Sequence, residues 1–206
     1  HEGVGRFYNL RYNWLFMIFK IKDGYLELIE NFLDKEEADR LFDLFLKTIP
    51  WKKGNIKIFG KQHLKPRLES FHAEDNVAYS YSGNKLITEN FNPDLSEIKE
   101  RIENQCSRQF NSVLINLYQD GKHSNGWHSD NEKELGIEPF IASLSLGETR
   151  IFKLKHQDGD TLDIPLKDGS LLLMGGQLQH KWKHCIPKSS KILGPRINLT
   201  YRNIKI

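Results

Sequence analysis

A chain of 206 residues with 38% hydrophobic and 28% charged residues is long and apolar enough for one globular core, and too mixed to be fibrous or disordered. Its net charge of +3 is too mild to establish a nucleic-acid partner, so the distribution of charge must carry that argument. The cysteines are Cys106 and Cys185 alone, which excludes a disulfide framework and suits a reducing compartment, cytoplasmic or nuclear.

Residues 1–20 are left without an assigned role. Their one apolar run, Trp14 to Phe19, is far shorter than the roughly 20 residues a membrane helix needs, and no small-residue cleavage site follows it. An expression remnant, a fragment boundary or a peripheral strand would each account for the segment. Residues 21–206 read as a single domain. Tyr25 to Ile29 reads as a strand, and Asp34 caps a helix whose Ala38, Leu41, Phe42, Phe45 and Leu46 form an apolar stripe ending before Pro50.

Trp51 to Leu68 follows with Lys52, Lys53, Lys57, Lys61, Lys65 and Arg67, no acidic residue, and Trp51, Phe59 and His63 among them. Such a patch can meet phosphates and stack on bases, although composition fits a solvated hairpin equally well. A second helix beginning near Asp94 or Ser96 buries Ile98, Ile102, Cys106 and Phe110 at helical spacing.

From residue 113 the chain becomes short strands: Val113 to Tyr118, Phe140 to Leu146, Arg150 to Leu154, Thr161 to Ile164, Ser170 to Met174, Lys181 to Cys185 and Arg196 to Tyr201. Many strands without interleaved helices predict a sandwich or barrel, hence an α+β, mainly β fold. A double-sheet jelly roll over 113–206, with supporting N-terminal helices, accommodates the pattern.

Two stretches carry the chemistry. His128 and Asp130 lie two apart in Gly126-Trp127-His128-Ser129-Asp130, so an extended backbone presents both to one metal ion. A second histidine would complete a two-histidine, one-carboxylate set with open positions, the arrangement of non-heme Fe(II) oxygenases. In Gln179-His180-Lys181-Trp182-Lys183-His184, period two places His180, Trp182 and His184 on one face, and pattern alone does not choose between the histidines. A second H-x-D, His156-Gln157-Asp158, sits in a turn-rich run and is expected to face water at a hairpin tip. In Arg196 to Arg202, Arg196, Asn198, Thr200 and Arg202 alternate with Ile197, Leu199 and Tyr201, pointing two guanidiniums one way. Buried cations are costly without anions, and a dicarboxylate such as 2-oxoglutarate would pair with one of them while chelating iron. Asn116 and Tyr118, two apart on a neighbouring strand, offer further hydrogen bonds, as does Asn198.

At these residues the sequence resembles the AlkB family of Fe(II)/2-oxoglutarate dioxygenases. The resemblance runs from about Ile56 to Ile206 and rests on Ile115-Asn116-Leu117-Tyr118, the His128/Asp130 pair, Ser143-Leu144-Ser145-Leu146-Gly147, His184 and the R-x-N-x-T-x-R run from Arg196. It implies a jelly roll with the metal between its sheets, His184 rather than His180 as distal ligand, and Fe(II), 2-oxoglutarate and O2 as cofactor and cosubstrates. Arg196 would take the far carboxylate of 2-oxoglutarate, and Arg202 would lie near its iron-side carboxylate or Asp130. The implied partner is nucleic acid, alkylated DNA or RNA. An N-methyl of the 1-methyladenine or 3-methylcytosine type would be hydroxylated as 2-oxoglutarate gives succinate and CO2, and the product would lose formaldehyde. Residues 51–85 would form a substrate-recognition lid, with Phe59 as a wedge replacing an extruded base, Tyr81 stacking on that base, Tyr79 near its edge or the backbone and Glu132 accepting from an exocyclic amine. A monomer is expected. Two alternatives use the same residues: an oxygenase acting on a protein or small molecule, and a non-catalytic metal-binding jelly-roll module.

Overall fold

The computed structural model describes residues 4–9, 14–58, 61–74, 77, 80–81, 84–85 and 87–205. In chain order the elements are β1 (Val4–Asn9), β2 (Trp14–Phe19), β3 (Tyr25–Glu30), α1 (Lys35–Thr48), β4 (Lys52–Ile58), β5 (Lys61–Ala73), β6 (Ser80–Tyr81), β7 (Asn84–Lys85), β8 (Thr88–Glu89) and α2 (Pro93–Cys106). They continue with β9 (Ser112–Tyr118), β10 (Asn125–His128), β11 (Ile141–Gly147), β12 (Arg150–His156), β13 (Thr161–Leu166), β14 (Leu171–Gly175), α3 (Leu178–Lys181), β15 (Trp182–Ile186) and β16 (Arg196–Arg202).

The helices form where the apolar stripes predict them. Asp34 caps α1, its Oδ1 accepting the Glu37 N–H at 2.8 Å, and Ala38, Leu41 and Phe45 are buried while Leu46 stays exposed. Helix α2 starts slightly earlier than expected, because Asn92 caps it by accepting the Leu95 N–H and Pro93 suits a first turn that has no use for its N–H. It ends at Ser107 in the left-handed region (φ 53°), so Phe110 lies beyond the helix yet is still buried.

Among the described residues the strands form two main sheets that face each other and a separate β6–β7 pair. The large sheet runs β1-β2-β3-β14-β11-β16-β9-β5-β4, with β8 added parallel to β5, and the small one runs β10-β15-β12-β13. Strands β1 and β2, in the segment unassigned from sequence, thus continue the large sheet beyond β3. Alternation along the central strands divides the interior in two. Val113, Ile115, Leu117, Leu144, Leu146, Ile197, Leu199 and Tyr201 face α1 and α2 and build the helix-side core. Tyr118, Ile141, Leu172 and Met174 face the small sheet and meet Phe152, Leu154, Ile164, Leu166, Trp182 and Ile186. The remaining inward positions of β9, β11 and β16 are polar except Leu114, and the site is built there.

The β4–β5 hairpin corrects the reading of the basic patch. Lys65 and Arg67 are buried, at 1% and 3% exposure. Lys65 Nζ donates to both Glu69 carboxylate oxygens, at 2.8 and 2.7 Å, and the pair approaches Gly54 so closely that a Cβ there would lie 2.0 Å from Glu69 Oε1. Burial pulls the Lys65 ammonium below its usual range, against the pull of Glu69. Lys52 pairs with Glu89 at 2.6 Å, and Trp51 packs on the helix-side core. Of the six cations only Lys53 is exposed among those whose side chains are described. The hairpin faces the second sheet, so alternate residues turn inward.

Candidate metal and cosubstrate site

Strand β10 pairs antiparallel with β15 so that His128 stands directly opposite His184, with a register irregularity between Asn125 and His128. Their rings lie 4.3 Å apart between centroids, and one ligand atom each of His128, Asp130 and His184 fall within 4.8 Å of one another. Each donor is prepared by its surroundings. His128 Nδ1 lies 2.7 Å from the Gly126 carbonyl, which can only accept, so Nδ1 carries the proton and Nε2 offers its lone pair. Asn125 Nδ2 at 3.2 Å and Asp130 Oδ1 at 3.7 Å face that same nitrogen. Asp130 Oδ2 accepts from Arg202 at 2.7 Å, and its backbone N–H donates to the buried Gln179 Oε1 at 2.9 Å. Its Oδ1 is buried without a hydrogen bond.

Electrostatics prepare the set for a cation. Burial opposes ionisation of Asp130, yet Arg202 and then the two histidines outweigh it and hold the carboxyl well below its usual range. Burial, aided by the neighbouring His128, pushes His184 down to about 3, and burial likewise lowers His128. Two neutral imidazoles and a carboxylate with a bare oxygen fit a divalent ion with open positions.

Across the cavity, β16 presents the polar face expected of it. Arg196 is 1% exposed; its Nη2 donates to Ser145 Oγ at 2.9 Å, while Nε and Nη1 are buried without hydrogen-bond partners. No carboxylate pairs with it among the described residues, and burial lowers its pKa to about 10. Tyr118 lies between two guanidiniums, 5.4 Å from Arg196 and 5.5 Å from Arg150. Arg150 is spent on the carbonyls of Asp120, His123 and Pro187, whereas Arg196 lines the cavity, as does Arg202 with its Nη2 on Asp130. Asn198 lines the cavity but gives its amide to Ser143 Oγ and the Leu144 carbonyl and accepts from Thr200 Oγ1. Asn116 lines it too, with Oδ1 accepting from Arg67 Nε at 2.7 Å. Phe152, Leu166 and Ile186 form the apolar wall on the small-sheet side.

Other expected positions fall elsewhere. His180 belongs to the single helical turn of α3 rather than to a strand, so the period-two face breaks there; it is exposed, and its ring meets the Ile137 carbonyl. His156, expected at a wet hairpin tip, is instead 1% exposed and packs on Trp182 at 4.9 Å, its Nε2 3.3 Å from an Asp23 oxygen but not aligned as a hydrogen bond. Last in β12, it points inward, and only Asp158 of that pair faces solvent. Glu132 is half-buried at the start of a 3-10 turn. Phe59 and Tyr79 lie outside the described residues; Tyr81 pairs with Asn84 through its backbone, and its side chain also lies outside them. Sequence reasoning missed Gln179, Asn125 and the inward role of Arg67. Arg67 had a visible sign in the alternation of Lys65, Arg67 and Glu69 with Pro66 and Leu68.

Two histidines and a carboxylate facing a guanidinium without a carboxylate partner across a jelly roll form a set that could hold a divalent metal ion with an anion beside it. The 2OG-Fe(II) oxygenase superfamily matches residues 25–202. The alpha-ketoglutarate-dependent dioxygenase alkB homolog 3 of Mus musculus is 39% identical over 191 residues, 86% of this chain and 65% of that one. The DNA oxidative demethylase ALKBH2 of Homo sapiens is 35% identical over 182 residues, covering 82% and 70%. The solved structure of OsALKBH1 superposes with a TM-score of 0.60 at 16% identity, over 90% of this chain and 99% of that one, a likeness of fold. The chain belongs to the 2OG-Fe(II) oxygenase superfamily and, within it, to the AlkB family. It spans about 65% of the length of the mammalian alkB homolog 3 proteins.

Proposed function

We propose that this chain is the catalytic domain of an Fe(II)- and 2-oxoglutarate-dependent dioxygenase that removes alkyl groups from nucleic-acid bases of the 1-methyladenine and 3-methylcytosine type. The observation that carries the chemistry is Arg196, a buried guanidinium without a carboxylate partner, facing the His128, Asp130 and His184 donors. The substrate class rests on the relatives, among them one named a DNA oxidative demethylase at 35% identity.

Bound iron would supply O2 activation for oxidation of the N-linked alkyl carbon. The chain supplies position and charge. His128 and His184 stay neutral and able to donate their lone pairs, while Arg202 fixes the Asp130 carboxylate and Gln179 holds its backbone N–H. Arg196, backed by Ser145, pairs with the far carboxylate of 2-oxoglutarate; Asn116 and Tyr118 flank it, and the apolar wall excludes water. Asn198 acts at this site by bracing β16 against β11. Residues 51–85 act as the recognition lid, in which Phe59, Tyr79, Tyr81 and Glu132 meet the extruded base. We read the protein as an intracellular monomer acting on DNA, with RNA carrying the same lesions as an additional substrate. No helix among the described residues is long and apolar enough to cross a membrane.

Mass spectrometry tests the proposal on oligonucleotides carrying 1-methyladenine or 3-methylcytosine, incubated with protein, Fe(II), 2-oxoglutarate, ascorbate and air. The expected result is loss of the methyl mass that requires 2-oxoglutarate. Succinate without demethylation would point to a protein or small-molecule substrate, a reading that gains from the burial of Lys65 and Arg67.

A further inference from the structure

We infer that Arg67 is a positioning residue that fixes the side-chain amide of Asn116 for 2-oxoglutarate, tying the β4–β5 hairpin to the cosubstrate cavity; the inference rests on reading that cavity as the 2-oxoglutarate site. Arg67 is 3% exposed on β5, and its Nε donates to Asn116 Oδ1 at 2.7 Å. A guanidinium has no acceptor, so it can hold the carbonyl end of that amide and never the NH2 end. The choice between the amide's two orientations is thereby made by a neighbour. Asn116 Nδ2, which has no hydrogen bond to the described residues, is left as the end offered to the cavity that Asn116 lines.

The strand register explains why the hairpin can reach this amide. Ser145, Asn198, Asn116 and Glu69 lie opposite one another across β11, β16, β9 and β5, so their side chains share the inner face. Arg67, two residues before Glu69, lies on that face too. The Lys65–Glu69 pair on either side of it has its charges matched internally, so Arg67 is not called on by Glu69. Its Nη1 donates instead to the Ser124 carbonyl at 3.3 Å, next to the strand that carries His128. Arg67 therefore joins three elements: the hairpin, the Asn116 strand and the approach to the metal-ligand strand. A surface cation or a purely packing arginine would have no reason to select one end of a cavity-lining amide.

A double-mutant cycle on 2-oxoglutarate binding tests this, measured anaerobically by calorimetry with Mn(II) in place of Fe(II), so that no turnover is read. Arg67→Met and Asn116→Ala are each expected to weaken binding by about tenfold, the scale of losing one hydrogen bond to a charged ligand, and the double variant by no more than either alone. Thermal melts accompany each variant, and Arg67→Lys replaces Arg67→Met in the cycle if the latter does not fold. Arg67 variants that bind 2-oxoglutarate like wild type, or that lose the same factor with and without Asn116, would overturn the inference while leaving the site intact. Wild-type protein that binds no 2-oxoglutarate would overturn the site and Arg67's role together.

Discussion

Strands β16 and β5 both turn charged residues into the space between the sheets, but they resolve the cost of burial differently. On β5 the protein supplies the acceptors itself: Lys65 meets the Glu69 carboxylate, and Arg67 meets an amide oxygen and a backbone carbonyl. On β16, Arg202 meets Asp130, but Arg196 keeps two nitrogens without hydrogen-bond partners and faces no carboxylate. A buried cation is therefore not a ligand site in itself. We propose that it becomes one where the fold leaves its N–H groups without acceptors beside a cavity, as at Arg196.

The largest effect should come from breaking the internally matched pair. Lys65→Ala leaves Glu69 buried and unmatched and should cost about 3–5 kcal/mol of stability in urea melts, whereas Lys65→Met with Glu69→Leu should recover most of it. A single variant no less stable than the double would mean that the pair is not a matched buried unit. The complementary break is at Arg196, where removal of the cation relieves a burial cost rather than creating one. Arg196→Ala should leave stability nearly unchanged but weaken 2-oxoglutarate binding by about tenfold to a hundredfold, corresponding to about 1.5–3 kcal/mol. Equal losses of stability at the two strands would erase the distinction between them.

Much of this was legible in the sequence, for a physical reason. In Arg196 to Arg202 alternation is uninterrupted, and in Ser112 to Tyr118 only Leu114 departs from it; the apolar set must face the helices, so the polar set can only face inward. The His128/Asp130 pair was legible from its spacing of two alone, since β10 ends at His128 and Asp130 lies beyond it. Alternation was hidden where local features interrupt it. Around Lys65, Pro66 and the exposed His63 and Leu64 make an inward run look like surface, and only the second sheet reveals its direction. At His180 the period of two failed because one helical turn, held by Gln177 accepting from the His180 and Lys181 N–H groups, intervenes before β15. The inward turn of His156 was lost in the turn-rich composition that follows it. Gln179 could not be found from pattern at all, since its contact with Asp130 joins segments 49 residues apart.

The most direct test of the central claim, that β10 and β15 bring His128, Asp130 and His184 to one metal beside Arg196, is anaerobic Fe(II) titration of His184→Ala and His180→Ala beside wild type, with 2-oxoglutarate added and its charge-transfer absorption followed. The account predicts that His180→Ala binds iron and develops the band like wild type, because His180 lies outside the site, and that His184→Ala does neither. Retention of the band in His184→Ala, or its loss in His180→Ala, would contradict the site described.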